Sequence, residues 1–517
     1  MRLTDHDLKQ LNEEYLASLS PEQLLHLSRK MLGDLRDARD RLHQNPQNSS
    51  RPSGSLAPWE QAALSKKEKS SDTTTDDATG PKQEPAEKAR ASQAQETPAP
   101  ARDKSDSKRQ PGKQRGAKGA GRHVELAVTG EVVHQATECS ACGQRLSDAV
   151  PFRATTGLYV LDIERTEQGL QVTHVKHLYG QRDCGCGHVT QTKPGRCADE
   201  PDWTVALSEW HLVGPLLAAL IICLSLRLRL SRPRIREFLQ DWLGISLSVG
   251  CIHQCIAEGG RAVAPLEAEL VAEIQQSDLL HADETGWKES GRTVWLWVLR
   301  SATVTLYLIG SRSWEVIATV MERFGGWLMS DGYGQYRHYG KRLRCLAHII
   351  RKARGLDESC HPEAAEFGAN VLQYLKIFIQ GVYAARGDPS RDLMTEFASE
   401  LAQLQQLSAA HRDHTHDKTR QLARELLNDW QAIWQVLAYP ALPLTNNVAE
   451  QSLRHWVIAR KISYGTRTAE GSRAYALLAS VIDTCRQRDV SPWPYLAQVI
   501  AARRQGHAAP PMPQLVG

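Results

Sequence analysis

The chain has 517 residues, which is too long for one hydrophobic core, so we expect about three or four folded units. Its formal charge of +4 at pH 7 excludes a histone-like basic protein, and any contact with nucleic acid must come from local patches. The N-terminal MRLTDHDLKQ has no secretory-signal pattern, so the 11 cysteines favour metal binding over disulfides and indicate a cytoplasmic protein.

Residues 1–44 are predicted to contain an N-terminal helix. The sequence SPEQ, which begins at Ser20, combines an N-cap, a proline at the first helical position and a glutamine three residues after the cap. Leu25 and Leu32 are seven residues apart, and so are Leu35 and Leu42. The pattern fits a short coiled coil and a single amphipathic helix equally well.

Residues 45–122 are predicted to be a disordered basic linker. They contain no Ile, Val, Phe, Tyr, Met or Cys and cannot bury enough apolar surface to offset the entropy of ordering. The last part, residues 101–122, has more Lys and Arg than acidic residues. Such an arm suits sequence-independent phosphate contacts, and it equally suits a solvated linker.

Residues 123–200 are β-rich and carry two closely spaced cysteine pairs. Cys139 and Cys142 are separated by two residues, and Cys184 and Cys186 by one. Two tight turns that each supply two thiolates match a tetrahedral Zn²⁺ site, so we predict a small module resembling a zinc ribbon. Because the second pair is narrow, His188 remains an alternative ligand, and free thiols are the alternative to a metal site.

Residues 201–276 are predicted to be helical. The apolar run Leu212–Leu226 is interrupted by glycine and proline and is soon followed by arginines, which predicts a buried helix and not a membrane span. After it, two helical patterns flank a turn at Gly244. This segment is either a DNA-reading helix-turn-helix or an ordinary helical hairpin.

Residues 277–475 are predicted to form an α/β unit. A strand, DLLHAD, leads to Asp283, and a hairpin, a helix and a second strand that ends at Asp331 follow. A short strand, a basic helix and a long helical stretch at about 356–440 come before the helix that carries Glu450. In a mixed sheet this order places the first and central strands side by side. Residues 476–517 are predicted to be a helical region with a tail.

Three acids of this unit are candidates for a catalytic metal site. Asp283 and Asp331 would converge at neighbouring strand ends, where a divalent cation relieves their repulsion, with Glu450 as the third acid. Each acid also has a structural interpretation. Asp283 would cap a turn at Gly286, Asp331 would be a turn residue, and Glu450 would pair with an N-cap at Asn447.

Several sequence blocks resemble the insertion-sequence-66 type transposases. They are HADETGW, SDGYGQY, CLAHIIRKARG, TNNVAEQSLR with ARKISYGT, QNSSRPSGS at 47–55 and SPWPYL at 491–496, so the resemblance runs from about residue 10 to about residue 500. It implies a DDE transposase on a ribonuclease-H-like fold, with Asp283, Asp331 and Glu450 as the triad. The block around His348 departs from the family pattern, which leaves the role of that histidine open.

Positive side chains near the acids are the candidates for holding DNA. Arg454 lies one helical turn after Glu450, where it would either pair with that acid or contact a phosphate. The predicted DNA-binding residues are Arg351, Lys352, Arg454, Arg460, Lys461 and Arg467, and Arg473 follows in the same basic segment. We interpret His281 as a core or supporting residue, and Trp287, Trp295 and Trp297 as core aromatics.

The sequence therefore predicts a transposase that binds the terminal inverted repeats of an insertion sequence, cleaves its ends and joins them to target DNA. The expected cofactors are Mg²⁺ or Mn²⁺ at the acids and Zn²⁺ at the cysteines. Expected partners are DNA, a second copy or a larger synaptic complex, and small accessory proteins of the same element, with a cytoplasmic, nucleoid-associated location and no membrane. The alternatives are a DNA-binding regulator without catalysis and a ribonuclease-H-like nuclease that cuts without joining.

Overall fold

The computed structural model describes residues 3, 11, 13–44, 48 and 126–515. The predicted linker at 45–122 and the segment at 47–55 lie, apart from Asn48, outside the described residues. The first elements are α1 (Glu13–Ser18) and α2 (Pro21–Leu42). The predicted start of α2 is confirmed, because the Ser20 hydroxyl accepts a hydrogen bond from the Gln23 amide and the Gln23 side chain accepts one from the Ser20 amide.

Helix α2 has two different faces. The heptad leucines lie on an exposed face, with 67% of Leu35 and 85% of Leu42 accessible to solvent. Asp34 and Asp40, by contrast, are buried against the rest of the protein. The face that contacts the protein is therefore acidic, and the apolar face is open to solvent.

The cysteine-containing region is a four-stranded sheet. Its strands are β1 (Gly130–His134), β2 (Arg153–Thr166), β3 (Gly169–Asp183) and β4 (Val189–Gln191). Strand β3 pairs with all three others, parallel to β1 and antiparallel to β2 and β4. The first cysteine pair lies between β1 and β2, and the second lies in the turn that joins β3 to β4, which brings both pairs to one end of the sheet.

Four helices follow this sheet. They are α3 (Pro215–Leu226), α4 (Arg232–Leu243), α5 (Val249–Val263) and α6 (Leu266–Gln275). Helix α3 is buried, as predicted, and no helix within the described part of the chain is both long and apolar enough to span a bilayer. The predicted turn is also confirmed, because α4 ends at Gly244 in the left-handed region and α5 begins after an N-cap at Ser248. DNA reading by this hairpin stays a prediction.

A five-stranded mixed sheet forms the centre of the α/β region. Its strands are β5 (Leu279–Glu289), β6 (Arg292–Arg300), β7 (Thr305–Gly310), β8 (Trp327–Ser330) and β9 (Arg342–Arg344). The order is β7-β6-β5-β8-β9, in which β5, β6 and β7 pair antiparallel and β8 and β9 continue the sheet parallel to β5. The prediction that the first and central strands are neighbours is confirmed.

Strand β5 is longer than predicted. It continues through Asp283 and Gly286 to Glu289, and the chain reverses at Ser290 and Gly291, which both have positive φ. The interpretation of Asp283 as the cap of a turn at Gly286 is therefore wrong, because both residues lie inside a paired strand.

The remaining helices cover this sheet and form the insertion. They are α7 (Glu315–Met321), α8 (Leu346–Asp357), α9 (Pro362–Gly387), α10 (Leu393–Glu396), α11 (Ala398–Ala410), α12 (Asp417–Asn428), α13 (Trp430–Ala438), α14 (Asn447–Ser463), α15 (Ala469–Gln487) and α16 (Pro492–Arg504). Helices α9 to α13 share a hydrophobic core with α8 and with Met329 and Leu343 of strands β8 and β9. The insertion is thus packed against strands β8 and β9 of the sheet.

Candidate active site

Asp283 and Asp331 lie near each other at the end of the parallel pairing of β5 and β8. The last paired residues are His281 and Met329, Asp283 lies two residues further along β5, Asp331 is the first residue after β8, and the charge of Asp331 acts on Asp283. Asp331 Oδ1 also accepts a 2.8 Å hydrogen bond from the Tyr333 amide. Asp331 is therefore a turn residue, as one interpretation predicted, and its charge acts on Asp283 as well.

Glu450 reaches the same region from the first turn of α14. The N-cap of this helix is Asn446, and Asn447 is its first helical residue. The interpretation of Glu450 as the partner of an N-cap at Asn447 is therefore wrong. Its side chain is directed to the acids and to α8 instead.

The three carboxyl groups interact electrostatically. Burial raises the pKa of Asp283 well above its ordinary value, and the charges of Asp331 and Glu450 raise it further. Burial also raises the pKa of Glu450; Arg351 opposes this shift and Asp331 adds to it. Asp283 and Glu450 are thus costly to ionise without a nearby cation. Among the described residues, no group of three or more metal-ligand atoms within 4.8 Å of one another contains Asp283 or Asp331.

Glu450 also lies beside Cys345, His348 and Arg351. Its Oε1 atom is 3.7 Å from His348 Nδ1 and 3.8 Å from an Arg351 nitrogen, and it is buried without a hydrogen-bond partner. Burial and the charge of Arg351 lower the pKa of His348 to about 3, so this imidazole is neutral near pH 7. A buried carboxylate oxygen without a donor is rare because it loses its hydration without compensation.

Asn446 links the elements that carry the acids, and sequence reasoning missed it. Its fully buried side chain donates a 2.8 Å hydrogen bond to the carbonyl of Ala282 and shares one of 3.1 Å with His281. The backbone amide of Asn446 donates a 3.2 Å hydrogen bond to Cys345 Sγ. One residue therefore connects β5 just before Asp283, the start of α14 and the start of α8. The only sequence signal was the pair of consecutive asparagines at the start of the predicted helix.

Glu284, next to Asp283, is a second residue that sequence reasoning missed. It accepts hydrogen bonds from the Tyr336 hydroxyl at 2.7 Å and from Arg312 at 2.8 Å. Burial raises the pKa of Glu284 to about 7, and Asp331 contributes. The Arg312 guanidinium lies 4.0 Å from the ring centres of both Trp295 and Tyr333, which fixes it beside Glu284.

A buried ionic network attaches the insertion to the sheet behind Asp331. Arg344 of β9 pairs with Asp429, at 3.1 Å, and with Glu425 of α12. A Cβ atom at Gly332 would lie only 2.6 Å from Arg344, so the residue after Asp331 must be small. Lys352 also pairs with Glu425, at 2.6 Å, which places this predicted DNA-binding residue in the network.

The other predicted basic residues differ in their surroundings. Arg460 is half-buried and donates a 3.3 Å hydrogen bond to Thr285 on β5. Arg454, Lys461 and Arg467 are exposed. Arg473 pairs with Glu267 at 3.5 Å. Trp287 and Trp297 are buried, as predicted for core aromatics.

The four cysteines form a separate cluster. The Sγ atoms of Cys139, Cys142, Cys184 and Cys186 all lie within 4.8 Å of one another, and Cys139–Cys186 and Cys142–Cys184 are each 3.7 Å apart. With Zn–S bonds of about 2.3 Å, the sulfur atoms of a tetrahedral site lie about 3.8 Å apart. Amide hydrogen bonds lower the pKa of Cys139 to about 6, which favours its thiolate. The cluster has the geometry to hold zinc.

His188 is not part of this cluster. Its Nε2 atom interacts with the Ser140 hydroxyl at 2.9 Å, and Cys186 occupies the fourth position among the sulfur atoms. The imidazole lies next to the turn that carries the first cysteine pair and helps to hold it.

These features define a class: α/β proteins with acids on adjacent parallel strands, a helical insertion and a separate thiolate cluster. Residues 211–474, half of the chain, match the model of the Transposase IS66 family. The chain belongs to this family, as the resemblance of its sequence blocks had indicated. The matched residues run from just before α3 to the start of α15 and include all three acids.

Curated relatives from Sinorhizobium fredii (strain NBRC 101917 / NGR234) agree with this membership. The chain is 24% identical over 304 residues to "Uncharacterized protein y4qI", and the aligned region covers 53% of this chain and 56% of the relative. It is 27% identical to "Uncharacterized protein y4jO" over 37% of this chain and 56% of the relative. The chain thus spans about half the length of the curated relatives it matches, and their names assign no activity.

Proposed function

We propose that this protein is a DNA transposase that cleaves the ends of an insertion sequence and joins them to target DNA. The observation that carries the proposal is that Asp283 on β5, Asp331 directly after the neighbouring parallel strand β8, and Glu450 on α14 interact electrostatically. The sheet order β7-β6-β5-β8-β9, with its three antiparallel strands and two parallel ones, supports a ribonuclease-H-like catalytic fold.

The donor set fits divalent magnesium or manganese. All three acids offer oxygen atoms, which these hard cations prefer. Burial raises the pKa values of Asp283 and Glu450, the charge of Asp331 adds to both shifts, and a bound cation would oppose both effects. The unsatisfied Oε1 of Glu450 offers a further lone pair. When bound, Mg²⁺ activates a water or a 3′-hydroxyl and stabilises the leaving oxygen of a phosphodiester.

The chain's own groups then have separate tasks. Asp283, Asp331 and Glu450 would hold the cations. Asn446 holds the start of α14 against β5 through its side-chain hydrogen bonds. Arg351 lies close enough to Glu450 to contact a phosphate beside it, and the exposed Arg454, Lys461 and Arg467 extend the positive surface along and after α14.

We assign Zn²⁺ to the four cysteines and self-association to the exposed leucines of α2. The zinc assignment depends on the tetrahedral sulfur spacing. The self-association assignment depends on Leu25, Leu32, Leu35 and Leu42, whose side chains are open to a partner at heptad spacing. Two copies would supply the two active sites needed for the two ends of an element.

The test uses purified full-length protein and a plasmid that carries the element's own ends. Wild type, Asp283→Asn and Asp278→Asn are compared in Mg²⁺ and in EDTA. Asp278→Asn is the matched control, because Asp278 is exposed at the opposite end of β5. We expect nicked and joined products that require Mg²⁺ and fall by at least about a thousandfold in Asp283→Asn, since several kcal/mol of charge stabilisation are lost.

Three results would count against the proposal. Cleavage that survives in Asp283→Asn would exclude the acids as its origin. Nicking without joined products would favour a nuclease. Binding to the ends without cleavage, even after the element's accessory proteins are added, would favour a DNA-binding regulator.

A further inference from the structure

Helix α2 contacts the insertion through its acidic face. Asp40 accepts hydrogen bonds from the Cys360 amide at 3.0 Å and from the Ser359 hydroxyl. Asp37 Oδ1 is 2.9 Å from Nε2 of His361, the N-cap residue of α9. A partly exposed pair such as Asp37 and His361 contributes little stability by itself, and the heptad leucines of α2 lie on the other face.

A group of metal-ligand side chains lies at this contact. Ligand atoms of Asp37, His361 and His416 are all within 4.8 Å of one another, and the two imidazole rings are 4.7 Å apart between centres. The three residues come from α2, from the residue before α9 and from the residue before α12. All three side chains are half-buried, so the group is partly shielded from solvent and an ion from solvent can still reach it.

Neighbouring residues orient the two histidines. His416 Nδ1 shares a 2.9 Å hydrogen bond with the Thr419 hydroxyl, which leaves Nε2 as the coordinating nitrogen. The His361 amide donates to the Ser359 hydroxyl at 3.1 Å, and Ser359 is itself bound to Asp40. Histidines that bind metals usually have the second ring nitrogen hydrogen-bonded, as His416 has here, while the Ser359 contact fixes the backbone of His361.

We propose that Asp37, His361 and His416 form a second metal site, which binds a divalent transition-metal ion such as Zn²⁺. Two imidazoles and one carboxylate are ligands that Zn²⁺ accepts, with water in the fourth position. The ion would fasten α2 to the insertion. This site uses nitrogen and oxygen ligands and contains neither the cysteines nor the acids at the sheet, so it does not depend on the proposed catalytic function.

The test measures zinc bound to full-length protein after chelator treatment and reloading with Zn²⁺ alone. The variants are Asp37→Asn, His361→Gln and His416→Gln. His411→Gln is the matched control, because His411 is a half-buried histidine of the same insertion whose Nδ1 interacts with the Leu407 carbonyl at 2.9 Å and which lies outside this group. We expect each of the three variants to bind about one zinc equivalent less per chain than wild type, and the control to match wild type.

Reloading with Co²⁺ separates this site from the cysteines. Thiolate-to-cobalt absorption, which arises from the cysteine cluster, should persist in every variant and show that the loss is local. The affinity of the second site should fall by more than the roughly 10–100-fold that is typical of losing an outer hydrogen-bond partner. Zn²⁺ should also protect α2 from proteolysis in wild type but not in His416→Gln.

Equal zinc content in wild type and all variants would overturn the proposal and leave a hydrogen-bonded contact only. Should a histidine variant fail to fold, Asp37→Asn decides the question, because it preserves the size of a half-exposed side chain. Unchanged zinc binding in folded Asp37→Asn, together with unchanged protection of α2 from proteolysis by Zn²⁺, would also overturn the proposal.

Discussion

The cysteine cluster and the carboxylate site are assembled in opposite ways. Each cysteine pair lies on one tight turn, and only the meeting of two turns beside β3 is needed to complete the cluster. The three acids come from β5, from the residue after β8 and from α14, and they meet only when the sheet and the insertion are in place. In the cluster the four sulfur atoms already lie within 4.8 Å of one another, with two pairs at 3.7 Å, whereas burial and neighbouring charges raise the pKa of Asp283.

This difference indicates what each site contributes without DNA. A thiolate cluster that binds zinc stabilises its turns, because metal affinity becomes folding free energy. The carboxylates reduce stability until a cation arrives, because ionised groups are held close together in a partly dry environment. Functional sites often carry such a cost, and the following predictions test whether the two regions differ in this way.

The largest structural effect is expected from Cys184→Ser. It removes one of four thiolates, so about one zinc equivalent per chain should be lost and the turns at 139–142 and 184–186 should open, since structural zinc in small modules is worth roughly 10 kcal/mol or more. Metal analysis and hydrogen exchange over β1 to β4 measure this loss. Cys360→Ser is the control, because Cys360 is an exposed cysteine outside the cluster. An unchanged zinc content in folded Cys184→Ser would exclude the cysteine cluster as a zinc site.

Asn446→Ala should have the next largest effect. It leaves the Ala282 carbonyl and His281 without a partner in a buried place, which should cost about 1–3 kcal/mol of unfolding free energy. Strand cleavage should fall by about 100-fold, because small displacements of reacting groups are that costly. Chemical denaturation and the plasmid assay measure the two effects. Asn447→Ala, at the exposed neighbouring residue, should change neither of them.

A smaller effect of opposite sign is expected from Asp283→Asn in EDTA. The folded-state pKa of Asp283 lies above its ordinary value of 3.8, so its ionisation costs stability. The cost is absent below the unfolded pKa and grows as pH rises through the folded pKa. At pH 7 without metal, Asp283→Asn should therefore raise the melting temperature by about 1–3 °C. The gain should disappear in acid or with Mg²⁺. A lower melting temperature in EDTA would contradict the idea of a strained site.

The smallest effect is expected from His188→Ala. Since Cys186 completes the sulfur cluster, zinc content should stay unchanged, and losing the Ser140 contact should cost about 1 kcal/mol at most. The measurement compares the zinc content of His188→Ala with that of Cys186→Ala. Zinc loss in His188→Ala equal to that in Cys186→Ala would restore the histidine as a ligand.

Local patterns in the sequence were sufficient for features formed by neighbouring residues. The SPEQ sequence predicted the start of α2, Gly244 predicted the turn between α4 and α5, and the paired cysteines predicted the cluster. The order of strands and helices also predicted that β5 and β8 are neighbours. These features follow from capping, turn geometry and the chain order of a mixed sheet, which depend on short stretches or on connectivity alone.

Only the tertiary structure decided the partners of polar side chains that are far apart in the sequence. Asn446 has a residue type suited to a helix cap, yet its side chain binds β5. Lys352 has the charge of a DNA contact, yet it pairs with Glu425. Asp37 belongs to an amphipathic helix whose sequence does not indicate His361 or His416. The physical reason is that such polar contacts depend on which surfaces pack together over hundreds of residues, and no spacing within one segment records that packing.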